Sequence, residues 1–329
     1  MDLQQVRYFV AVFDHGSINA AASAVGVAQP TISQALRSLE RELKAPLFHR
    51  IGRGMVPTSA GYALAAPARR MLRDIVTAAG AVPDADGNLR GRLDLRAHPA
   101  VSTGLLPAII AEFHRRHPKV KVTIAAMHDE TRAPELLRNA ACEIVVAHLP
   151  LPPGDEADGH AGADGLETAV LDTQEYALAL PPEEGSPPLA SLPWKDLDAA
   201  MAVVPQGAAH AGRMFAAMSA RQQARRPAVV LANREARLAF ALAGVAPTWI
   251  ERSMTNTALS RGARVRTMEP PLPAPYGLVF DRDSLSPAAA AFVGVARQVA
   301  ARAGAAAQDG AAAQARDATS RNSAAAGDS

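Results

Sequence analysis

At 329 residues the chain is long enough for two or three domains of ordinary size. A composition of 49% apolar and 20% charged residues excludes a largely disordered chain, and the single cysteine, Cys142, excludes a disulfide framework and a multi-cysteine zinc site. No apolar run is long enough for a membrane span, and charges at Asp2 and Arg7 exclude a signal peptide, so a soluble cytoplasmic protein is expected. The net charge of +2 is uneven: residues 1–75 hold nine Lys or Arg against five acidic residues, which favours a polyanionic partner for this part alone, although ordinary solvated surfaces also carry such an excess.

Residues 1–50 are predicted to form three short helices. Apolar side chains recur at helical spacing up to Phe13, and His15-Gly16 ends the first helix. Ser17 is placed to cap the second helix, which Gly26 ends, and the third spans about residues 29–44. Two helices joined by a short glycine-containing turn are typical of a helix-turn-helix.

A hairpin and a long helix are predicted next. The apolar runs 47–51 and 55–57 flank the turn Gly52-Arg53-Gly54, which makes a wing with Arg53 at its tip. Thr58 then opens a helix that runs to about Gly80, and its apolar stripe needs a partner helix. Pro67 lies inside this helix, where it removes one backbone hydrogen bond.

From Gly91 onward strands alternate with helices, which predicts a parallel sheet with right-handed crossovers. Strands are predicted at 92–97, 120–125, 144–147, 176–180, 201–204, 229–231 and 278–280, and helices near 102–116, 134–141, 213–223, 234–243 and 287–302. Residues 152–165 are predicted to form a loop. The tail 303–329 contains twelve alanines and no Val, Leu, Ile or aromatic residue, so it is expected to be disordered.

Several segments of the N-terminal part resemble LysR-type transcriptional regulators. They are 9–17, 20–22, 29–33, 39–40, 47–50 and 57–61, and weaker similarity to the family's effector-binding domain follows at 105–107, Phe113 and Pro118. The resemblance implies a winged helix-turn-helix, a long dimerising linker helix and a C-terminal domain of two α/β subdomains similar to type II periplasmic binding proteins.

The resemblance also implies domain boundaries. The winged helix-turn-helix DNA-binding domain covers 1–58, the linker helix 59–80, a hinge 81–91 and the effector-binding domain 92–302, before the tail. Within the effector-binding domain, subdomain I takes 92–166 and 270–302, and subdomain II takes 167–269.

The residues assigned to DNA follow from chemistry as well as from resemblance. A recognition helix enters the major groove by its N-terminal end, so its first-turn side chains reach base edges. The assigned residues are Gln29, Pro30, Thr31, Ser33, Gln34 and Arg37 on the third helix, with Arg50 and Arg53 on the wing. Thr31 and Ser33 could equally be capping groups, while Glu40 is expected to be structural and Arg41 to be solvated.

The effector is expected between the two subdomains, as the resemblance implies. The first strand–helix junction supplies hydroxyls and backbone N–H groups, a natural anion site. The assigned residues are Ser102, Thr103, Thr131, Pro205 and Gln206. Ser102 and Thr103 could instead cap a helix. His98 and His128 are further candidates for contact with the effector, although histidines in such places are more often surface residues. The turn 244–247 is shorter than the one common in the family.

Other function classes find little support in the sequence. It lacks the nucleophile-elbow, Walker A, dinucleotide-binding and zincin motifs, so no catalytic residue, cofactor or metal site is expected. We expect a ligand-responsive, sequence-specific regulator that binds a dyad-symmetric operator as a homodimer or dimer of dimers, with RNA polymerase as a candidate partner and no membrane partner. The alternative is a solute-binding protein with a dimerisation helix and no specific DNA target, which the predicted wing and the lack of a signal peptide disfavour.

Overall fold

The computed structural model describes residues 1–81, 89–151, 165–182, 189–193, 204–205, 229–231, 236–271 and 273–326. Its N-terminal unit contains three helices, a hairpin and a long fourth helix. These are α1 Leu3–His15, α2 Ile18–Val25, α3 Gln29–Leu43, β1 Phe48–Ile51, β2 Gly54–Pro57 and α4 Ser59–Ala81. The predicted helix-turn-helix, wing and linker helix are all confirmed.

Local chemistry sets the limits of the first two helices. Asp2 and Gln5 form a reciprocal capping box at the start of α1, and Ser17 accepts a hydrogen bond from the Ala20 N–H at the start of α2. Gly16 and Gly26 follow the two helices with φ of 62° and 74°, a conformation that glycine adopts without strain.

The N-terminal core lies where α1, α2, α3 and the start of α4 meet. Phe9, Ile32 and Leu39 are fully buried in it, and the rings of Phe9 and Phe48 lie 5.4 Å apart. Thr58 caps α4 by accepting a hydrogen bond from the Gly61 N–H. A Cβ at Gly61 would lie 2.3 Å from the Leu47 carbonyl oxygen, so the close approach of α4 to the hairpin requires glycine.

The C-terminal domain is built around two larger sheets. In chain order its strands and helices are β3 Gly91–Ala97, α5 Leu106–Arg116, β4 Val120–Ala126, α6 Ala133–Arg138, β5 Ile144–His148, β6 Glu167–Gln174, β7 Tyr176–Leu180, β8 Leu189–Pro193, β9 Val204–Pro205, β10 Val230–Leu231, α7 Arg237–Leu242, β11 Thr248–Glu251, α8 Thr255–Ser260, β12 Arg264–Glu269, β13 Ala274–Phe280 and α9 Pro287–Ala326. Three-residue 3-10 helices lie at Glu130–Arg132, Arg252–Met254 and Arg282–Ser284.

Lobe I is the five-stranded sheet, in the order β4-β3-β5-β13-β6, with the helices that cover it. Strands β3, β4 and β5 are parallel, as predicted, whereas β13 runs antiparallel to both β5 and β6. Its core includes Leu95, Phe113 and Phe292, so α5 and the first turns of α9 pack on the same face. Lobe II is the four-stranded sheet, in the order β11-β7-β12-β8, with α7 and α8.

The predicted subdomain boundary at residue 167 is wrong. Strand β6 pairs with β13 along its length, and its buried residues Ala169 and Leu171 join the core of lobe I. Lobe II therefore begins at β7, and the chain crosses between the lobes at Glu175 and again between β12 and β13. Strands β6, β8, β11 and β12 were not predicted.

Two helix predictions also need correction. Helix α5 begins at Leu106 rather than near Ser102, because residues 99–105 form a series of tight turns. Helix α9 continues to Ala326, whereas disorder was expected from residue 303. Alanine has the highest helix propensity, and a helix that already packs in a core extends without burying further apolar surface.

Several predictions lie outside the described residues. These are most of the loop 152–165, the strand residues 201–203, the helix 213–223, residues 82–88 of the hinge and the last three residues of the tail. Within the described part of the chain, none of the helices combines the length and the apolarity that crossing a bilayer requires.

Candidate functional site

The first candidate surface is the exposed face of α3 together with the wing. Gln34, Arg37, Arg41 and Lys44 lie along one exposed side of α3, and Arg50 and Arg53 are exposed on the hairpin. Gln29, Pro30 and Thr31 are exposed at the start of α3. The fold thus brings the predicted DNA-contacting residues of helix and wing to the surface of one small domain, and their contacts with DNA stay a prediction.

The first turn of α3 does not use its hydroxyls as caps. Ala28 is the N-cap residue, and the Thr31 N–H bonds to its carbonyl oxygen. The Ser33 hydroxyl accepts a hydrogen bond from the Gln29 side-chain amide at 2.9 Å. The capping alternative for Thr31 and Ser33 therefore finds no support, and both side chains remain candidates for contacts to bases or phosphates.

Glu40 has the structural role that was expected of it. Its carboxylate accepts a hydrogen bond from the Leu47 N–H at 2.8 Å, which ties the end of α3 to the start of the wing. Arg41 is exposed, and its Nε donates to the Arg37 carbonyl oxygen on the same helix.

Two arginines fasten α4 to lobe I. Arg69 donates to the Asn139 carbonyl oxygen at 2.9 Å and forms an ion pair with Asp14 of α1. Arg73 donates to the Ala140 carbonyl oxygen at 2.9 Å and lies 3.7 Å from the buried carboxylate of Glu143. The linker helix therefore contacts its own C-terminal domain just beyond α6.

Glu143 is a buried carboxyl in this contact. Its Oε1 accepts a hydrogen bond from the Ser286 N–H at 2.7 Å. Burial raises the pKa of this carboxyl, against the opposing effects of that hydrogen bond and of the positive charge of Arg73.

The second candidate surface is the edge of the lobe I sheet where three parallel strands end. His98 follows β3, the 3-10 helix 130–132 follows β4, and His148 is the last residue of β5. In open α/β sheets ligands bind outside the carboxyl ends of the strands. This edge is therefore the natural place for a small-molecule site.

The predicted effector residues in this region have local partners. The Ser102 hydroxyl donates to the His98 carbonyl oxygen at 3.0 Å, and the Thr131 hydroxyl donates to the Asp129 carboxylate at 2.6 Å. Thr103 is exposed in the turns before α5. Pro205 lies in β9, paired with Leu231, and Gln206 lies outside the described residues.

A cluster of buried ionisable groups lies at the same edge, and sequence reasoning missed it. His98, Glu130 and His148 expose 4%, 0% and 2% of their surfaces, which contradicts the expectation that His98 lies on the surface. Glu130 Oε1 lies 2.8 Å from His148 Nδ1 and 3.9 Å from His98 Nδ1, and it also accepts from the His148 N–H at 2.9 Å. His128, by contrast, is exposed as expected.

The cluster keeps its carboxyl group ionised. Burial opposes the charge of Glu130, but the hydrogen bond from His148 and the positive charges of His148 and His98 outweigh burial and lower the pKa of this carboxyl. Its second oxygen, Oε2, is buried without a hydrogen-bond partner among the described residues. A buried charged oxygen without a partner is costly, so this group is a candidate for ligand binding.

A cavity of about 390 Å³ lies beside this edge, between the two lobes. Gly104 and Tyr276 line it from lobe I, the crossing segment 172–175 lines its base, and Glu251–Ser253 lines it from lobe II. Tyr276 accepts a hydrogen bond from the Leu105 N–H at 2.9 Å. A Cβ at Gly104 would lie 2.2 Å from the Tyr276 hydroxyl, so this hydrogen bond requires glycine there.

Charged pairs border the cavity on the side of lobe II. Glu251 is buried and lies 3.2 Å from Arg237, and Glu175 forms an ion pair with Arg252. Asp172 lines the same cavity and accepts a hydrogen bond from the Thr173 N–H. The carboxylates of Glu251 and Glu175 are therefore each matched by an arginine, so these two pairs add no net charge to the cavity.

Comparison with known proteins gives two matching family models. The model of the bacterial regulatory helix-turn-helix protein, lysR family, matches residues 3–62. The model of the LysR substrate binding domain matches residues 86–301.

Some curated relatives match most of the chain, and others match about half of it. The transcriptional regulator TfdS of Cupriavidus pinatubonensis is 27% identical over 315 residues, which is 91% of this chain and 98% of that protein. ShiR of Corynebacterium glutamicum is 28% identical over 181 residues, 55% of this chain and 58% of that protein. A probable hydrogen peroxide-inducible genes activator of Mycobacterium xenopi is 32% identical over 181 residues, which is 55% of this chain and 89% of that protein.

Solved structures share the fold over most of the chain. Full-length OxyR from Pseudomonas aeruginosa superposes with a TM-score of 0.66 at 18% identity, covering 90% of this chain and 98% of that one. Full-length CbnR in complex with its target DNA gives a TM-score of 0.60 at 22% identity, covering 91% of this chain and all of that one.

Proposed function

Because the chain belongs to the lysR family of bacterial helix-turn-helix regulators, we propose that it binds dyad-related DNA half-sites as a dimer or dimer of dimers and that a small anionic molecule in its C-terminal domain modulates this binding. It is a transcriptional regulator with a helix-turn-helix and an effector-binding domain. The observation that carries the DNA proposal is the joint exposure of the α3 side chains and the wing arginines on one domain.

The proposed roles on DNA differ between the helix and the wing. Gln29 and Gln34 are placed to read base edges, since glutamine pairs bidentately with adenine. Arg50 and Arg53 supply charge for phosphates, which positions the protein without reading sequence. CbnR, which was solved in complex with its target DNA, has the same fold, and this supports such a use of the N-terminal domain.

The amino-acid sequence does not identify the operator. The proposal is therefore tested by selecting, from a random DNA library, the duplexes that the protein binds. We expect enriched sequences with two related half-sites about one helical turn, or a multiple of it, apart. A dimer that touches about six phosphates should lose affinity with salt at a logarithmic slope near −5. Failure to enrich any sequence, or protection of a single asymmetric half-site by a monomer, would favour the solute-binding alternative.

The proposed effector site is the start of α5 together with the cavity between the lobes. The N-terminus of an α-helix carries a partial positive charge. The exposed hydroxyl of Thr103 adds a donor, and that of Ser102 adds a second when it exchanges its hydrogen bond to the His98 carbonyl oxygen for one to the effector. Thr131, Pro205 and Gln206 are proposed as further contacts.

The effector proposal is tested on the full chain with a library of small carboxylates and a thermal-shift readout. A ligand present at 100 times its Kd raises the unfolding free energy by about 2.7 kcal/mol, which is readily detected. The double variant Ser102→Ala with Thr103→Val should lose the shift while still binding the selected DNA. An undiminished shift in this variant would place the site elsewhere.

The position of Cys142 disfavours a response to peroxide through its thiol. The M. xenopi relative is named for hydrogen peroxide-inducible genes, but the single cysteine of this chain is buried, and burial raises the pKa of its thiol to about 12. Since the thiolate is the reactive form, Cys142 is unsuited to fast oxidation.

A further inference from the structure

The buried cluster of His98, Glu130 and His148 brings three possible metal-ligand atoms together. His98 Nδ1 accepts a hydrogen bond from the Ala100 N–H at 3.2 Å, so this nitrogen carries a lone pair rather than a proton. It lies 3.9 Å from Glu130 Oε1. An imidazole nitrogen that can act as a ligand and a carboxylate oxygen therefore lie close together in a buried place.

His148 lies between Glu130 and Tyr176. Its Nδ1 lies 2.8 Å from Glu130 Oε1, and its Nε2 lies 3.2 Å from the Tyr176 hydroxyl. With its ring proton on Nε2, His148 can donate to the Tyr176 hydroxyl and offers the lone pair of Nδ1 as a ligand atom beside the carboxylate.

We propose that these three side chains form a binding site for one divalent transition-metal ion, such as Zn²⁺, Co²⁺ or Ni²⁺. One ligand atom from each residue lies within 4.8 Å of the other two, so small side-chain rotations bring all three to the distances of about 2.0–2.2 Å that zinc requires. Two imidazoles and a carboxylate are a donor set that such ions prefer over Mg²⁺ or Ca²⁺.

A proton in place of the metal would satisfy the cluster only in part. It would join His148 to Glu130, but His98 Nδ1 would still face the carboxylate and Glu130 Oε2 would still lack a partner among the described residues. A doubly charged cation meets all three groups at once. Three protein ligands leave one position of a tetrahedral ion for water or another small donor.

The surroundings also fit a metal site. A histidine that binds a metal through one ring nitrogen usually donates the other N–H to a fixed acceptor, and the Tyr176 hydroxyl is in this position for His148. Tyr176 begins β7 of lobe II, whereas the three ligands belong to lobe I. Metal binding would therefore fix the orientation of a residue that joins the lobes, independently of the anionic effector proposed above.

The test uses untagged full-length protein that has been treated with a chelator and then titrated with Co²⁺, Zn²⁺ and, as a comparison, Mg²⁺. We expect one Co²⁺ per chain with the visible absorption of a four-coordinate nitrogen and oxygen site, displacement of that spectrum by Zn²⁺ and no response to Mg²⁺. Glu130→Gln keeps the size of the side chain, and His148→Ala removes a ligand; each should weaken metal binding at least about 100-fold.

His128→Ala is the matched control, because His128 is an exposed histidine two residues before Glu130. This variant should bind Co²⁺ as the original chain does. Circular dichroism of each metal-free variant checks that it is folded. If His148→Ala is unfolded, the comparison rests on Glu130→Gln. Absence of tight stoichiometric binding, or binding that persists in a folded Glu130→Gln or is lost in His128→Ala, would overturn the proposal. Because no DNA is present, the result is separate from the test of DNA binding.

Discussion

Cys142 is a thiol that folding makes unreactive. It is buried beside β5, and burial raises the pKa of its thiol from 9.0 to about 12. At pH 8 the folded chain should hold roughly a thousandfold less thiolate than the unfolded chain, so reaction with a disulfide reagent should be slow in buffer and fast in concentrated urea. Fast labelling of the folded protein would contradict the burial of this thiol.

Single residues of the DNA-binding surface should separate sequence reading from charge. Gln34→Ala should cost about 1–3 kcal/mol on the selected DNA and little on random DNA. Arg53→Ala should weaken binding to both kinds of DNA and reduce the logarithmic salt slope by about 1. Fluorescence anisotropy with selected and scrambled duplexes at several salt concentrations measures both effects, and equal losses on both duplexes for Gln34→Ala would refute its role.

Residues of the DNA-binding surface were predictable from sequence, whereas the buried cluster was not. The DNA residues lie within 25 positions of one another, on elements whose caps and turns are local. His98, Glu130 and His148 are far apart in sequence and meet because β3, β4 and β5 are parallel neighbours. One signal was present: each residue closely follows an apolar strand segment, and the predicted parallel sheet places such positions at one edge.

Arg73 is one of the two arginines that join the linker helix α4 to lobe I. Arg73→Gln removes the guanidinium group, which donates a hydrogen bond to the Ala140 carbonyl oxygen and lies beside the carboxylate of Glu143. We expect a loss of about 1–3 kcal/mol in local stability, seen as faster amide hydrogen exchange in the second half of α4. Arg70→Gln, at an exposed position of the same helix, is the control and should leave the exchange rates unchanged.

The alanine-rich end of α9 should add to the helix content of the protein but contribute little to its free energy of unfolding. The side chains described between residues 304 and 308 are exposed, whereas Phe292 and Ala296 are buried in lobe I. Removing residues 306–329 should therefore lower the helical circular dichroism signal and leave the urea midpoint unchanged. An unchanged dichroism signal would instead support the original expectation of a disordered tail.

Among the elements, helices with local caps and clear periodicity were predicted well, whereas most strands of lobe II were not. Strands β8, β11 and β12 are short. Strands β11 and β12 pair with β7, and β8 pairs with β12, across long stretches of chain. The start of α5 was misplaced because Ser102 and Thr103 have the composition of a helix cap but lie within the turns that precede Leu106.

The assembly of the whole molecule should depend on the exposed apolar positions of α4. Ile75 and Val76 are 43% and 45% exposed, whereas Leu72, which the apolar stripe also contains, packs against the N-terminal core. Ile75→Asp should give monomers in light scattering, because it places a charge in an apolar contact between subunits. Val170→Asp changes an exposed apolar residue of β6 and should keep the assembly intact. Equal masses for the two variants would exclude α4 as the dimer contact.

The division into a winged domain, a linker helix and a two-lobed domain was predictable from the order of elements and the resemblance. The exact partition of the lobes was not, because it depends on where β6 pairs. Its alternation of exposed and buried residues fits either sheet, and only the partner strand β13, a hundred residues later, decides between them.

That late partner strand has a consequence for synthesis on the ribosome. Strand β13 lies between β5 and β6 in the finished sheet but emerges after all of lobe II. At about 5–20 residues per second, the intervening hundred residues take about 5–20 seconds, during which the unpaired edges of β5 and β6 are available to other chains. The wholly buried β5 is thus most in need of a chaperone while the chain is still being translated, and slow translation of lobe II would lower the yield of native protein.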